Sequence, residues 1–248
     1  MQGQDLQWFI PQAFIKLITQ LSAHKNGWLI IDDTLIAKIY AKLIEGIEKH
    51  FDSSTRRYMH GYTIVVLAWT NGKTTVPLDF EFWFSKDVVS SDNYFTKIQL
   101  AQKLIERIIE VIEVKGVLLD GLYASEDMMQ FLNHLDVRFE MRMNSNRVIA
   151  SSDGHKSPLR KNLLFKMFRN QHSKTVQSNW KGIKLYFTAG LRINKNGEKS
   201  IVFLVSNWDA SSNAHVKTYA LRWHIEMLFR TSKQYLELQH CSSRSFES

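Results

Sequence analysis

Two short runs of apolar residues each end in an aspartate. Residues 28–31 read Trp-Leu-Ile-Ile and precede Asp32, and residues 117–119 read Val-Leu-Leu and precede Asp120. Continuous apolar runs of this length predict buried strands, and the sites of open α/β sheets collect at the carboxyl ends of strands. Asp is also a common turn residue, so either aspartate alone has an ordinary structural interpretation beside the functional one.

The other apolar positions of the first 143 residues alternate between strand and helix patterns. The expected elements, in chain order, are a helix over 8–22, a mixture of helix and basic loop over 35–58, a hairpin over 62–84 that turns at Asn71-Gly72 with Pro77 at an edge or bulge, a helix over 94–113 capped by Asp92-Asn93, a helix from Ser125 to about His134, and a strand over 137–143. This order predicts an α/β fold with a mixed sheet.

The pattern changes after residue 143. Residues 144–181 are polar and basic, with a predicted helix over 158–169. Residues 183–191 and 199–205 then predict an antiparallel pair joined at Asn196-Gly197. Eight Lys or Arg and a single acid, Asp153, lie between residues 147 and 181, so this segment carries most of the net charge of +8.

A polar stripe marks the last predicted helix. At about 100° per residue, its members fall within an arc of roughly 80°, with Leu221, Ile225 and Leu228 on the opposite side. The stripe consists of Tyr219, Arg222, Glu226, Arg230 and Lys233. An amphipathic helix with a solvated charged face is the simplest interpretation of this pattern.

Composition narrows the classes of function. The basic charge favours a polyanionic partner. The one cysteine, Cys241, excludes an internal disulfide and a multi-cysteine zinc site. No apolar run reaches 18 residues, and the N-terminus lacks the pattern of a secretion signal. We therefore expect a cytoplasmic protein without a membrane partner.

Three carboxylates from distant parts of the chain, Asp32, Asp120 and Glu226, become informative together. Such a cluster repels itself unless cations neutralise it, and hard divalent cations prefer oxygen ligands. Two ions about 3.5–4 Å apart can activate a nucleophile and stabilise a leaving oxygen in phosphoryl transfer.

The spacing of Tyr219, Arg222, Glu226 and Lys233 resembles the Tyr-x2-Arg-x3-Glu-x6-Lys (YREK) signature of one group of DDE transposases from bacterial insertion sequences. Asp32-Asp33-Thr34 resembles the first-acid context of that family, in which Asp-x-Thr places the catalytic residue at Asp32. Leu118-Leu119-Asp120-Gly121 resembles the second-acid context.

The resemblance implies a ribonuclease H-like (retroviral-integrase-like) α/β fold, with a mixed sheet, flanking helices and a β-rich insertion. The corresponding division is an N-terminal helical remnant or linker (1–27), a first core part (28–143), a basic, β-rich insertion (144–210) and a second core part with the glutamate helix (211–248).

The resemblance also implies a metal-dependent DNA transposase that cleaves transposon ends and transfers strands to target DNA. Such a protein would associate with the bacterial nucleoid and, if full-length, act as a homodimer in the synaptic complex. Asp32, Asp120 and Glu226 would be catalytic and would bind two Mg²⁺ ions, for which Mn²⁺ is expected to substitute. The residues expected to contact DNA are Tyr219, Arg222, Arg230, Lys233, Arg160 and Lys161. Trp180 and Trp208 are candidates for holding a flipped base, although burial in the core is the favoured interpretation of both.

Two departures from the family leave an alternative open. About 27 residues precede the first predicted strand, without a recognisable helix-turn-helix, and the chain ends soon after the glutamate helix. A truncated, non-catalytic DNA-binding or inhibitory fragment therefore stands beside the active transposase. A standalone nuclease of the same fold is a third alternative.

Overall fold

A mixed β-sheet with helices on both faces organises the protein. The computed structural model describes residues 20, 27–38, 46–52, 56–150, 156–161, 173–180, 182–193 and 196–236. In this part of the chain nine strands form the main sheet, in the order β2-β3-β1-β5-β6-β11-β10-β9, and β4 pairs with β3. The strands of this sheet are β1 Trp28–Ala37, β2 Glu48–Asp52, β3 Arg57–Thr70, β4 Thr75–Trp83, β5 Val117–Leu119, β6 Phe139–Met143, β9 Ser173–Trp180, β10 Ile183–Ile193 and β11 Lys199–Ser206.

A separate two-stranded sheet pairs β7 Val148–Ala150 with β8 Lys156–Pro158. The described α-helices are α1 Lys97–Ile109, α2 Glu126–His134, α3 Ser212–Ala220 and α4 Trp223–Tyr235. No helix in the described residues is long and apolar enough to cross a membrane.

The centre of the sheet combines parallel and antiparallel pairing, as predicted. β1 runs parallel to β5, and β5 runs parallel to β6. β3 and β4 form the predicted hairpin, in which Gly72 takes a φ of +87°, a left-handed conformation that suits glycine in a turn. The register of that hairpin shifts at Leu67/Ala68, opposite Pro77, which confirms the predicted bulge.

Two of the hydrophobic clusters cover opposite faces of the sheet. Alternate residues of a strand point to opposite faces, and β1 shows this alternation, because Leu29 and Ile31 belong to the cluster shared with α1 and α2. Ile30 belongs to the other cluster, with Leu118 of β5 and Ile225 of α4. The face that carries Ile30 is the one on which the candidate site lies.

Several predicted elements differ from the structure. The first strand does not end at Asp32 but continues to Ala37, because β3 is long enough to pair with β1 as far as Gly61. Within the described part of 35–58, the predicted helix and loop are instead the end of β1, strand β2 and the start of β3. β2 pairs with the same β3 beyond the point where β4 ends.

The long helix begins later than predicted. Thr96 is its N-cap, and its side chain and that of Gln99 form a reciprocal capping box that satisfies the first backbone N–H groups. Asp92-Asn93, predicted as the cap, lies in a separate 3₁₀ turn, Ser91–Asn93. By contrast, Ser125 caps α2 as predicted, with its hydroxyl accepting from the N–H of Met128.

The basic segment contains a strand, β9, that its polar sequence did not predict. Ser173–Trp180 forms β9, which pairs with β10, and β11 pairs with β6, so these strands extend the central sheet. The described start of the helix predicted over 158–169 is the end of β8 and a 3₁₀ turn, Leu159–Lys161. The rest of that helix, and residues 8–22 apart from Gln20, lie outside the described residues. The division into four segments stays a prediction.

Candidate active site

Asp32 and Asp120 lie at neighbouring strands, where the parallel pairing of β1 and β5 ends. The last paired residues of β1 and β5 are Ile31 and Leu119, and each aspartate is the next residue along its strand. Asp32 lies two residues after Ile30, and Asp120 lies two residues after Leu118. Because alternate residues of a strand share a face, both carboxylates face the side of the sheet covered by α4. The structure therefore brings together the two aspartates that the sequence picked out, although Asp32 lies within its strand and Asp120 after its own.

Arg222 joins the first aspartate to the glutamate. Its Nη1 donates to Oδ2 of Asp32 at 2.7 Å, and its Nη2 donates to Oε1 of Glu226. The side chains of Arg222 and Asp32 are only 12% and 17% exposed, so this ion pair is largely shielded from water. A guanidinium presents its donors in a planar fork that suits two carboxylates at once.

Tyr219 contacts the second aspartate. Its hydroxyl donates to Oδ1 of Asp120 at 3.3 Å, and the guanidinium of Arg222 lies 5.9 Å from the centre of its ring. Burial raises the pKa of Tyr219 above its ordinary value, and Asp120 contributes in the same direction. Tyr219 therefore stays a neutral hydrogen-bond donor to Asp120 at physiological pH.

Burial also changes the pKa of the Asp32 carboxyl group. It raises the pKa of this carboxyl group to about 6, against the opposing effect of Arg222, while the charges of Asp33 and Asp120 raise it further. A carboxyl group with so little access to water and two acidic neighbours is stabilised in its ionised form by any cation placed beside it. In this structure Arg222 is that cation.

The sequence predicted that the signature residues share one helix, and this prediction is wrong. Tyr219 lies on α3, Arg222 precedes α4, and Glu226 and Lys233 lie on α4. Between the helices the N–H groups of Leu221 and Arg222 bond to the carbonyls three residues back, at Thr218 and Tyr219. This tighter turn separates the two helices while keeping Arg222 beside both Tyr219 and Glu226.

The donor chemistry of this site fits a hard divalent cation, although in this structure the carboxylates are arranged around Arg222. Asp32, Asp120 and Glu226 offer only carboxylate oxygens, the ligand type that Mg²⁺ prefers. Among the described residues, however, no group of three His, Cys, Asp or Glu side chains is close enough to hold a metal ion. The guanidinium of Arg222 bonds to two of the three carboxylates and stands between them.

The other predicted DNA contacts lie outside this cluster. Arg230 is exposed on α4, and Lys233 is half-buried one turn further along. Arg160 and Lys161 are exposed in the 3₁₀ turn that follows β8. Their roles in DNA binding stay predictions.

Both candidate tryptophans pack against the core. Trp180 lies against the larger hydrophobic cluster, and Trp208 against the smaller one. The ring of Trp208 has its centre 6.0 Å from that of Trp28 and 4.7 Å from that of His215. This packing agrees with the core interpretation of both residues.

Two polar contacts beside the site were not foreseen. On the α1 face, Lys97 Nζ lies 2.7 Å from Oδ2 of Asp33, and the hydroxyl of Tyr123 lies 3.4 Å from its Oδ1. On the α4 face, the fully buried Glu140 and His215 form a pair, in which burial raises the pKa of Glu140 to about 7 against the effect of His215. No local pattern in the sequence signals this pair, because β6 reads Phe-Glu-Met-Arg-Met and Glu140 resembles an ordinary polar residue of an alternating strand.

The fold and the site define an α/β protein with an acidic site at the carboxyl ends of its parallel strands. The family model described as DDE superfamily endonuclease matches residues 9–162, more than half of the chain, so the chain belongs to that superfamily. Its members act on DNA and generally use divalent metal ions. The matched region contains Asp32 and Asp120 and ends before Tyr219, Arg222 and Glu226. Among curated proteins, none matches the chain.

Proposed function

We propose that the chain is the catalytic domain of a DNA transposase with a ribonuclease H-like fold, of the group with the Tyr-Arg-Glu-Lys signature. The observation that carries the proposal is the contact of Arg222 with Asp32 and Glu226, because it joins a carboxylate inside the matched region to the signature residues outside it. The order of strands around Asp32 and Asp120 supports the same assignment.

In this proposal Asp32, Asp120 and Glu226 would hold two Mg²⁺ ions. Bound there, the ions would supply an activated water or DNA 3′-hydroxyl and a stabilised leaving oxygen for in-line attack on a phosphodiester. Arg222 would have to move aside for the ions, because its guanidinium occupies one oxygen of Asp32 and one of Glu226 and its positive charge opposes a second cation placed between them. The displaced guanidinium is then free to bind a backbone phosphate bidentately.

Tyr219 keeps Asp120 in place during this exchange. Its hydroxyl bonds to Oδ1 of Asp120, which leaves the other oxygen of that carboxylate for a ligand. Arg230, Lys233, Arg160 and Lys161 supply positive charge for the DNA backbone, whose binding then weakens as salt concentration rises.

The test compares two supercoiled plasmids, one carrying the DNA that flanks the chain's own gene, where the proposal expects inverted repeats, and one without it. With Mg²⁺ present, we expect cleavage at the repeat ends and joining to target DNA, and no activity from Asp120→Asn or Glu226→Gln. Cleavage of both plasmids alike would instead indicate an endonuclease without transposon specificity. Activity that survives both substitutions would refute the assignment of the carboxylates.

A further inference from the structure

A buried polar pair lies one helical turn before Tyr219. Glu140 of β6 and His215 of α3 are both 0% exposed, and Nδ1 of His215 lies 2.8 Å from Oε2 of Glu140. Ser206 of β11 joins them, with its Oγ 3.3 Å from the same Nδ1, and its hydroxyl donates to the carbonyl of Trp208. This pair attaches α3 to the sheet by hydrogen bonds.

The pair belongs to a row of three contacts across neighbouring strands. Glu140 is opposite Leu118 of β5, and Leu118 is opposite Ile30 of β1, so Glu140 shares a face with Asp120 and Asp32, which lie two residues beyond those partners. Each of the three strands β6, β5 and β1 thus contributes one carboxylate. The residues that contact these carboxylates, in the same order, are His215, Tyr219 and Arg222.

Stability alone does not account for the buried pair. Among the described residues, Oε1 of Glu140 and Nε2 of His215 have no hydrogen-bond partner. A buried pair with an unsatisfied atom on each side costs desolvation energy, and well-packed apolar residues of similar volume are often equally stabilising or better in such places. A directional contact, however, fixes the position of a helix along the sheet in a way that apolar packing does not.

We infer that Glu140 and His215 are positioning residues, which set the placement of α3 so that Tyr219 reaches Asp120 and Arg222 reaches Asp32. This inference rests on the proposed function, since Tyr219 and Arg222 act in the site described there. His215 and Tyr219 are four residues apart on one helix, so a displacement of α3 at His215 is carried directly to the hydroxyl of Tyr219.

The decisive variant replaces both members with apolar residues, E140M together with H215M. Because it leaves no buried charge unpaired, we expect its melting temperature to stay within a few degrees of the wild type. Its kcat for DNA cleavage should fall about 10- to 100-fold, the loss typical of a small misplacement in a catalytic site. An unchanged kcat in this folded variant would overturn the inference.

Two further variants separate positioning from general stability. E140Q keeps a side-chain oxygen that can accept from Nδ1–H of His215, so we expect it to retain kcat within about threefold. T63V removes the 3.3 Å contact between Oγ1 of buried Thr63 and Nδ1 of His50, on the face of the sheet covered by α1, and serves as the matched buried control with unchanged kcat. Equal losses in E140Q and the double variant, or in the double variant and T63V, would contradict positioning.

A double-mutant cycle and hydrogen exchange complete the test. In a Tyr219→Phe background, E140M with H215M should cost several-fold less kcat than in the wild type, because the two changes act on one contact. In metal-free protein, amide exchange over residues 216–222 should accelerate in the double variant and not in T63V. Unchanged exchange would overturn the inference even if the wild type cleaves no DNA, in which case the proposed function fails separately.

Discussion

Asp32 and Asp33 are neighbours in the sequence, yet their carboxylates lie on opposite faces of the sheet. Asp32 bonds to Arg222 on the face covered by α4, and Asp33 bonds to Lys97 and Tyr123 on the face covered by α1. The alternation of side chains along a strand produces this separation. It distinguishes a candidate metal ligand from a structural acid.

This separation predicts different results for two matched substitutions. Asp32→Asn should abolish both Mg²⁺-dependent DNA cleavage and metal binding, because it removes a carboxylate of the site. Asp33→Asn should leave metal affinity within about twofold and lower the free energy of unfolding by about 1 kcal/mol or less, as expected for a partly exposed ion pair. Calorimetric titration and urea unfolding measure the two effects, and a loss of metal binding in Asp33→Asn alone would reverse the assignment.

Arg222 should compete with divalent cations in the DNA-free protein. Its guanidinium neutralises Asp32 and Glu226, so a metal ion has to displace it. We expect Arg222→Gln to bind Mg²⁺ or Mn²⁺ about tenfold more tightly in a titration without DNA, which corresponds to about 1.4 kcal/mol. The same variant should bind DNA more weakly, because the displaced cation is no longer available for a phosphate.

Arg230→Gln is the matched control for that substitution. Arg230 is exposed on α4, and its loss changes the net charge by the same amount. Its metal affinity should stay within about twofold of the wild type, since exposed charges are screened by salt. If both variants bind metal equally tightly, net charge rather than the Arg222 contact controls the affinity.

The sequence alone singles out the three acids as candidates, because their signals are local. An apolar run that ends in Asp and a fixed spacing of Tyr, Arg, Glu and Lys need no knowledge of distant contacts, and the structure brings five of these residues together. The capping of α2 by Ser125 and the hairpin turn at Gly72 are local in the same way.

Tertiary pairing decided the features that the sequence did not predict. β1 extends past Asp32 because β3 continues to pair with it, and β9 forms from a polar segment because β10 offers an open edge. The break between α3 and α4 places Tyr219 and Glu226 on separate helices, although their spacing suits one continuous helix. The Glu140–His215 contact joins residues 75 positions apart, and no local pattern signals it.

The raised pKa of Asp32 predicts a pH dependence of stability. Burial moves this pKa from 3.8 to about 6, so between those values the folded protein keeps a proton that the unfolded chain has lost. Asp32 therefore contributes stability that is complete below about pH 4 and is lost as pH rises towards 6.

Urea unfolding in EDTA at several pH values between 4 and 8 measures this contribution. Glu140 titrates in an overlapping range, so the informative quantity is the difference between the wild type and Asp32→Asn at each pH. We expect the free energy of unfolding of the wild type to fall relative to that of Asp32→Asn as pH rises from 4 to 6. Above pH 7 the difference should be constant. A difference that stays flat over the whole range would show that Asp32 titrates normally.

Ile225 should carry much of the packing that holds Glu226 against the sheet. It is fully buried and packs in one cluster with Ile30 and Leu118, the residues two positions before Asp32 and Asp120. Ile225→Ala should lower the free energy of unfolding by about 2–5 kcal/mol, through lost apolar burial and the cavity left behind. Met227, on the same helix, is 44% exposed, and Met227→Ala should change stability by no more than about 0.5 kcal/mol. Urea unfolding of the two variants compares them directly, and equal effects would mean that α4 is not held to the sheet by its buried face.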